Sequence, residues 1–443
     1  MDQLQNFIQM EGQTSDSLSE QQCLETKLTN MLQNVKPPER YGLDKQCIYR
    51  VPPDIRETNP KAYTPQIVSI GPFHKARDAG KEDSIFESME DLKVNYLKAF
   101  LNRTQVPVGT FVDTLQKLED EIRSCYAVHI KYNSDDFLKM ILIDACFIIE
   151  LFLRFYRYNY WRGKDPVLLK SWMRMQIRRD LILLENQLPF FVLEELYNLA
   201  GMNQEFPSFL QISFNCLKDV GYVTWCPTES PKHFTDLVRT SIISSSKFVP
   251  REEEECKEIK HVYSASQLRE AGLKFKVSPK ENECLLNLTY SSEGVLTMPI
   301  LNIADDSEVF FRNIVAFEEC HLSDDTNIIT QYLKILDFLI NTEKDVNVLV
   351  DKKIIVNWMG DANAVATMVN SLGSNIGMPL FNPVYFSLCN SLNDFYESPC
   401  NKYKAIFKHD YFNTPWKIAS TVAAIVLLLL TLIQTICSIN SLF

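Results

Sequence analysis

A chain of 443 residues with 46% apolar and 23% charged side chains has the composition of a folded globular protein, which argues against wholesale disorder and against several membrane spans. Its formal net charge of −11 argues against nucleic acid as the main partner, because sequence-independent phosphate binding relies on many Lys and Arg contacts. The length is ample for a large core, spread over two or three structural units or one elaborated domain.

Residues 1–46 are polar and broken by Pro37-Pro38, and they read as a flexible leader without the basic start or apolar stretch of a secretory signal. Cys47 to Pro52 and Pro65 to Pro72 are β-prone and bounded by prolines, which hold the preceding residues extended, so edge or connecting strands are expected there. From Ser84 the pattern turns helical, with Ile85, Met89, Leu92, Tyr96 and Phe100 on one face. A second helix is predicted from about Phe111 to Ile130, on a narrower stripe of Leu115, Leu118, Ile122 and Cys125. Phe137 to Tyr156 is apolar nearly all round and reads as the central core helix. Lys139, Asp144, Glu150 and Arg154 interrupt it too often for a membrane span. Lys170 to Ala200 is again helical, with Pro189 expected to kink the helix or begin a new one.

The Ser-rich and acidic stretch 241–260, including Glu252 to Glu255, is read as a mobile loop between a helical first half (47–240) and a mixed α/β second half (261–410). Strands are expected at Leu273 to Val277, Cys284 to Tyr290 and Gly294 to Ile300, the last two joined by a turn at Ser291 to Gly294. Helical periodicity returns from Glu308 to about Ile340, Val346 to Val356 and Asp361 to Leu372, before a loop-rich stretch through Pro379, Pro383 and Pro399. The predicted fold class is therefore mainly α with a small β component.

Residues 411–443 read as a membrane anchor. Ile418 to Ile439 carries no charge over twenty-two residues, roughly 33 Å of helix, which matches a bilayer core. Trp416 and Lys417 would mark its interfacial end. Lys402, Lys404, Lys408 and Lys417 precede the span and no basic residue follows it, so the bulk of the chain is expected on the cytosolic side of the plasma membrane or endoplasmic reticulum. Twelve scattered cysteines without a C-x-x-C pair suit reduced thiols. On that topology the glycosylation acceptors at Asn102 and Asn287 are chance matches.

The phosphate-binding, dinucleotide, zinc-protease and hydrolase-elbow motifs are absent, and no cofactor or metal is expected. Six dispersed histidines do not suggest a metal site, and Glu318-Glu-Cys-His321 offers ligands that point in different directions from a helix. Asp144 and Glu150 fall on different faces of their helix and read as buried polar partners of a neighbour. Glu185-Asn-Gln187 is suited to satisfying backbone groups freed near Pro189. One group stands out in an acidic chain: Arg154, Arg157, Arg162, Lys164, Lys170, Arg174, Arg178 and Arg179. It is either a solvated face or a surface for an anionic leaflet, to which each basic residue adds about 1 kcal/mol.

Ile48 to Pro52, Tyr63 to His74, Met89 to Lys93 and Asp180 to Phe191 resemble, in order, a plant family known as "domain of unknown function 247". The likeness continues through His233 to Arg239, Leu268 to Phe275, Phe311 to Cys320 and Tyr411 to Trp416, and so covers about 47 to 439. The resemblance implies a land-plant source and one C-terminal span, supplies no catalytic residues, and brings in a role of some grass members in self-incompatibility. The reading that follows is a membrane-tethered, non-catalytic recognition, signalling or protein-interaction module, with a lipid bilayer and a protein as partners. An enzyme acting on a lipid or small metabolite near the membrane is the alternative, and a scaffold a third.

Overall fold

The computed structural model describes residues 24–31, 45–74, 84–244, 246, 256–280, 283–322, 326–411 and 415–440. The chain divides into two units, Met1–Gln46 and Cys47–Phe443. In the first, residues 24–31 are helical and exposed, and the rest of the predicted leader lies outside the described residues except 45 and 46.

The second unit is mainly helical. Helix α1 (Pro53–Thr58) and a 3-10 turn (Pro60–Tyr63) lead into the long pair α2 (Ser84–Thr104) and α3 (Val108–Ser124). Met89, Tyr96 and Phe100 of α2 are buried as expected, but Ile85 is exposed, because its first turn extends beyond the core. Helix α4 (Ser134–Tyr156) is the centre of the domain. The Asn133 side chain caps it by accepting from the Asp136 amide, and Asp135 and Asp136 complement the positive end of the helix dipole. Between Phe137 and Arg154 only Lys139 and Ile143 escape full burial, so the helix is wrapped on nearly every side. Each large apolar side chain withdrawn there contributes about 1.5–3 kcal/mol.

The predicted helix from Lys170 to Ala200 is two helices, α5 (Ser171–Leu181) and α6 (Phe190–Leu199). The break opens at Ile182, eight residues before α6, and Pro189 supplies the N-cap of the new helix. Helices α7 (Phe209–Leu217) and α8 (Phe234–Ile243) complete the first half. Residues 245 and 247–255, half of the expected mobile loop 241–260, lie outside the described residues, and its first three residues belong to α8, where Ser241 and Ile242 are buried. One hydrophobic cluster runs from Cys47 to Leu392 and draws side chains from both sides of that stretch.

After α9 (Ala265–Ala271) come the strands β1 (Lys274–Val277), β2 (Thr289–Ser291) and β3 (Val295–Met298), in the order β1-β3-β2. β2 and β3 form the expected hairpin. Gly294 closes it at φ +71°, where any side chain would collide with the Phe395 ring at 2.6 Å. The residues from Cys284 to Leu288 are not strand. A second sheet was not foreseen: β4 (Leu301–Ile303) pairs in parallel with β5 (Ile355–Asn357). Runs of three residues are too short to display a period, and β5 occupies the end of a segment that reads as helical.

Helices α10 (Ser307–His321), α11 (Ile328–Leu339), α12 (Glu343–Asp351) and α13 (Ala362–Leu372) follow, splitting the predicted 308–340 helix in two. The stretch expected to be loop-rich holds two helices, α14 (Pro383–Glu397) and α15 (Pro399–Tyr411). Each starts on a proline, whose fixed φ and missing N–H suit the first helical position. Helix α16 (Pro415–Asn440) ends the described chain.

Candidate functional site

The residues around Asp180-Leu-Ile-Leu-Leu-Glu-Asn-Gln187 fasten the extended segment 65–74 to the helical core. That segment forms no strand; its backbone groups bond to side chains instead of to a sheet. Asp180 accepts from the amides of Ile67 (2.8 Å) and Val68 (3.0 Å), and from Gln66 at 3.1 Å. Asn186 accepts from the Ile70 amide (2.7 Å) and donates to the Val68 carbonyl (3.0 Å). Asp144 accepts from the Gly71 amide (2.9 Å), and Lys93, wholly buried, reaches Asp144 (2.8 Å) and the Ser69 carbonyl. Burial raises the Asp180 carboxyl to about 6, against the opposing pull of the amides of Ile67, Val68 and Gln66.

Cys47 to Pro52 is likewise not a strand: Ile48 makes one isolated parallel bridge with Tyr126. Glu185 accepts from the Val51 amide (2.8 Å) and pairs with Arg56 (2.5 Å). Gln187 meets the expectation of serving freed backbone groups, donating to the carbonyls of Leu181 (2.6 Å) and Leu183 (2.7 Å) and accepting from the Phe234 amide. A polar side chain can end a backbone donor's search for a partner as well as a neighbouring strand does.

The other candidate acid–base or metal residues are also engaged internally. Asp144 and Glu150 both partner α2, through Lys93 and through Arg103 at 2.8 and 2.9 Å. Glu318 pairs with Arg239 (2.8 Å) and accepts from Thr330, while His321 meets the Tyr49 hydroxyl (2.9 Å). No cluster able to hold a metal occurs among the described residues. His233 is buried with Nε2 on the Cys47 carbonyl (2.8 Å), and burial drives its pKa down to about 3. The described cysteines are free thiols, six of them buried. Asn102 is exposed, whereas Asn287 is buried in the fold.

The structure sorts the basic group into three kinds. Arg154 is withdrawn into a buried network with Glu150 (2.8 Å) and Asp165 (2.6 Å), which the Tyr96 hydroxyl completes. Arg157, Arg178 and Arg179 pair with Glu205, Asp219 (3.3 Å) and Asp306 (3.2 Å). Among the described residues, no carboxylate lies within ion-pair distance of Arg162, Lys164, Lys170 or Arg174. Exposed Tyr156, Tyr160, Leu169 and Trp172 are interleaved with them along the chain. Arg174 and Arg178 line a hollow of about 320 Å³ between the end of α4, α5 and α7, with Tyr158, Asn215 and Asp219 as further polar wall. Sequence reasoning named the arginines but not Tyr158, Asn215 or Asp219, which come from separate segments and carry no motif.

In α16, Trp416–Ser438 is long and apolar enough to cross a membrane, and none of it is buried. Trp416 and Ile418 are exposed, Lys417 stands between them, and Ile439 lies just past the apolar stretch.

A helical domain laced together by buried polar side chains and continued by one apolar helix is thus the class of protein the structure defines. The chain belongs to the DUF247 family, plant proteins of unknown function, whose model matches residues 48–430. It is 30% identical to the UPF0481 protein At3g47200 of Arabidopsis thaliana, over 91% of this chain and 88% of that protein. It is 22% identical to the putative UPF0481 protein At3g02645 of the same plant, over 87% and 89% of the two chains. No solved structure matches it.

Proposed function

We propose that this protein is a membrane-tethered, non-catalytic recognition module, with the bilayer as partner of α16 and another protein as partner of the helical domain. The observation that carries the reading is the 23-residue apolar stretch of α16, which has no buried side. An apolar surface of that length is costly in water and matches the thickness of a bilayer core. Lys402, Lys404 and Lys417 precede it, which favours a cytosolic domain. The absence of catalysis is argued from how the buried carboxylates are used: Asp144, Glu150, Asp180, Glu185 and Glu318 are all committed to internal partners. Recognition between cells, as in the self-incompatibility of some family members, is the process we favour, with signalling as its output.

Protease treatment of sealed microsomes carrying the full chain tests the tether and its direction together. Digestion of the domain to a short protected fragment, with Asn102 unglycosylated, is the expected result. A protected domain carrying sugar on Asn102 would place it on the other side of the membrane and move the search for partners outside the cytosol.

A further inference from the structure

The hollow beside α5 has the size and chemistry of a small-ligand site. Its volume of about 320 Å³ lies at the lower end of the range for such sites, roughly 300–1,000 Å³. Arg174 and Arg178 are four residues apart on α5, so two like charges share one helix face, an arrangement unfavourable in itself. Among the described residues, the one carboxylate paired with them is Asp219, 3.3 Å from Arg178 and itself 57% exposed at the rim. The Arg178 Nε is buried and finds no hydrogen-bond partner among the described residues. Arg174 uses one N–H on the Leu168 carbonyl. Aromatic rings back both guanidinium groups, Phe155 at 4.8 Å from Arg178 and Tyr158 at 5.4 Å from Arg174. Two forks, held in place by rings and short of acceptors, suit an oxyanion bound through paired N–H groups.

We propose that this hollow binds the phosphate group of a phosphomonoester. A phosphomonoester carries close to two negative charges and three acceptor oxygens, enough to engage both arginines and displace Asp219 toward solvent. The group has two chemical sources, an inositol phosphate headgroup in the leaflet or a soluble phosphate ester. The lipid source rests on the tether proposed above; the pocket does not. In the stretch of chain between the lining residues Tyr158 and Arg174 lie Lys164 and Lys170 together with exposed Tyr160, Leu169 and Trp172, and such a mixture of cations and interfacial aromatics suits an anionic leaflet.

The test is calorimetric titration of the full chain, held in phosphatidylcholine nanodiscs, with inositol trisphosphate. A second arm titrates the same preparation with separate nanodiscs that contain phosphatidylinositol bisphosphate, so that headgroup binding is read directly. Saturable binding is expected, weakened about tenfold or more in R174Q/R178Q, as the loss of charge-assisted paired contacts implies. Asp219→Asn removes the competing carboxylate and tightens binding about threefold or more, a gain that a misfolded variant cannot imitate. Lys276→Gln, at an exposed position of β1 outside the basic group, leaves binding unchanged. This pattern with the soluble probe supports a phosphomonoester site open to free esters; the same pattern only with the lipid-bearing discs supports a headgroup site. No binding in either arm, or binding indifferent to the arginine and Asp219 variants, overturns the proposal. Retention of α16 in membranes is measured separately, so failure of the site and failure of the tether are distinguishable.

Discussion

His233 makes the fold sensitive to mild acid in a way that can be worked out from its contacts. Its Nε2 lies 2.8 Å from the Cys47 carbonyl, which only accepts, so the proton is on Nε2. Nδ1 is then the acceptor for the Asp236 amide at 3.3 Å, and the imidazole serves as the N-cap of α8. A second proton would turn Nδ1 into a donor facing a donor. Burial, assisted by the nearby charges of His321 and Lys232, lowers the pKa to about 3. Because the folded value lies below the unfolded one, of about 6.5, the stabilisation is fully present above 6.5 and is lost as the pH falls toward 3. At pH 5 the drop from 6.5 is about 1.5 units, or about 2 kcal/mol at roughly 1.36 kcal/mol per unit. His233→Asn keeps a side-chain acceptor at the N-cap but gives up the Cys47 contact and the edge-on packing against Phe317, with ring centroids 4.7 Å apart. The variant is expected to be less stable at neutral pH by about 1–3 kcal/mol. Its gap from wild type should shrink by about 2 kcal/mol between pH 7.5 and pH 5. Urea unfolding of both proteins at the two pH values, read by tryptophan fluorescence, measures that gap. An unchanged gap would refute the neutral, doubly bonded imidazole.

Three further outcomes follow from the buried contacts. Asp180→Ala strands the amides of Gln66, Ile67 and Val68, so their hydrogen-exchange protection should fall while that of α4 persists, with a stability loss of about 3 kcal/mol or more. Lys93→Met leaves Asp144 buried without its cation and should cost about 3–5 kcal/mol in urea unfolding. Gly71→Ala places a Cβ 2.6 Å from the Gln187 carbonyl at φ +70°, so it should destabilise by at least the 1–3 kcal/mol of backbone strain and lower the melting temperature, whereas Gly163→Ala, with open space around it, should not.

What the sequence reveals differs by element. The core helix α4 and the apolar stretch of α16 are legible because each is long and its composition nearly uniform, so burial or exposure to lipid dominates every position. Pro65 to Pro72 reads as a strand because β-branched residues between prolines favour extended backbone, and these residues are indeed not helical. Its partners, however, are side chains more than a hundred residues away at Asp180 and Asn186, and no local pattern reports them. The helices α14 and α15 were hidden by their own prolines, which punctuate a loop and begin a helix equally well. For the basic group, spacing located the arginines but not the carboxylates Glu205, Asp219 and Asp306 that neutralise three of them. The hollow near α5 depends on Ile212, Asn215 and Cys216 of α7 and on Asp219 lining the same space as Arg174 and Arg178 of α5, a matter of tertiary packing alone.

The central claim is that α16 crosses a bilayer, and alkaline carbonate extraction of membranes from cells expressing the full chain tests it most directly. The wild-type chain should remain in the membrane pellet. The double variant Leu428→Arg, Ile433→Arg should be released, since each charge near the centre of a span costs about 2.5–3.5 kcal/mol on insertion. Release of the wild-type chain into the supernatant, or retention of both proteins alike, would contradict the account.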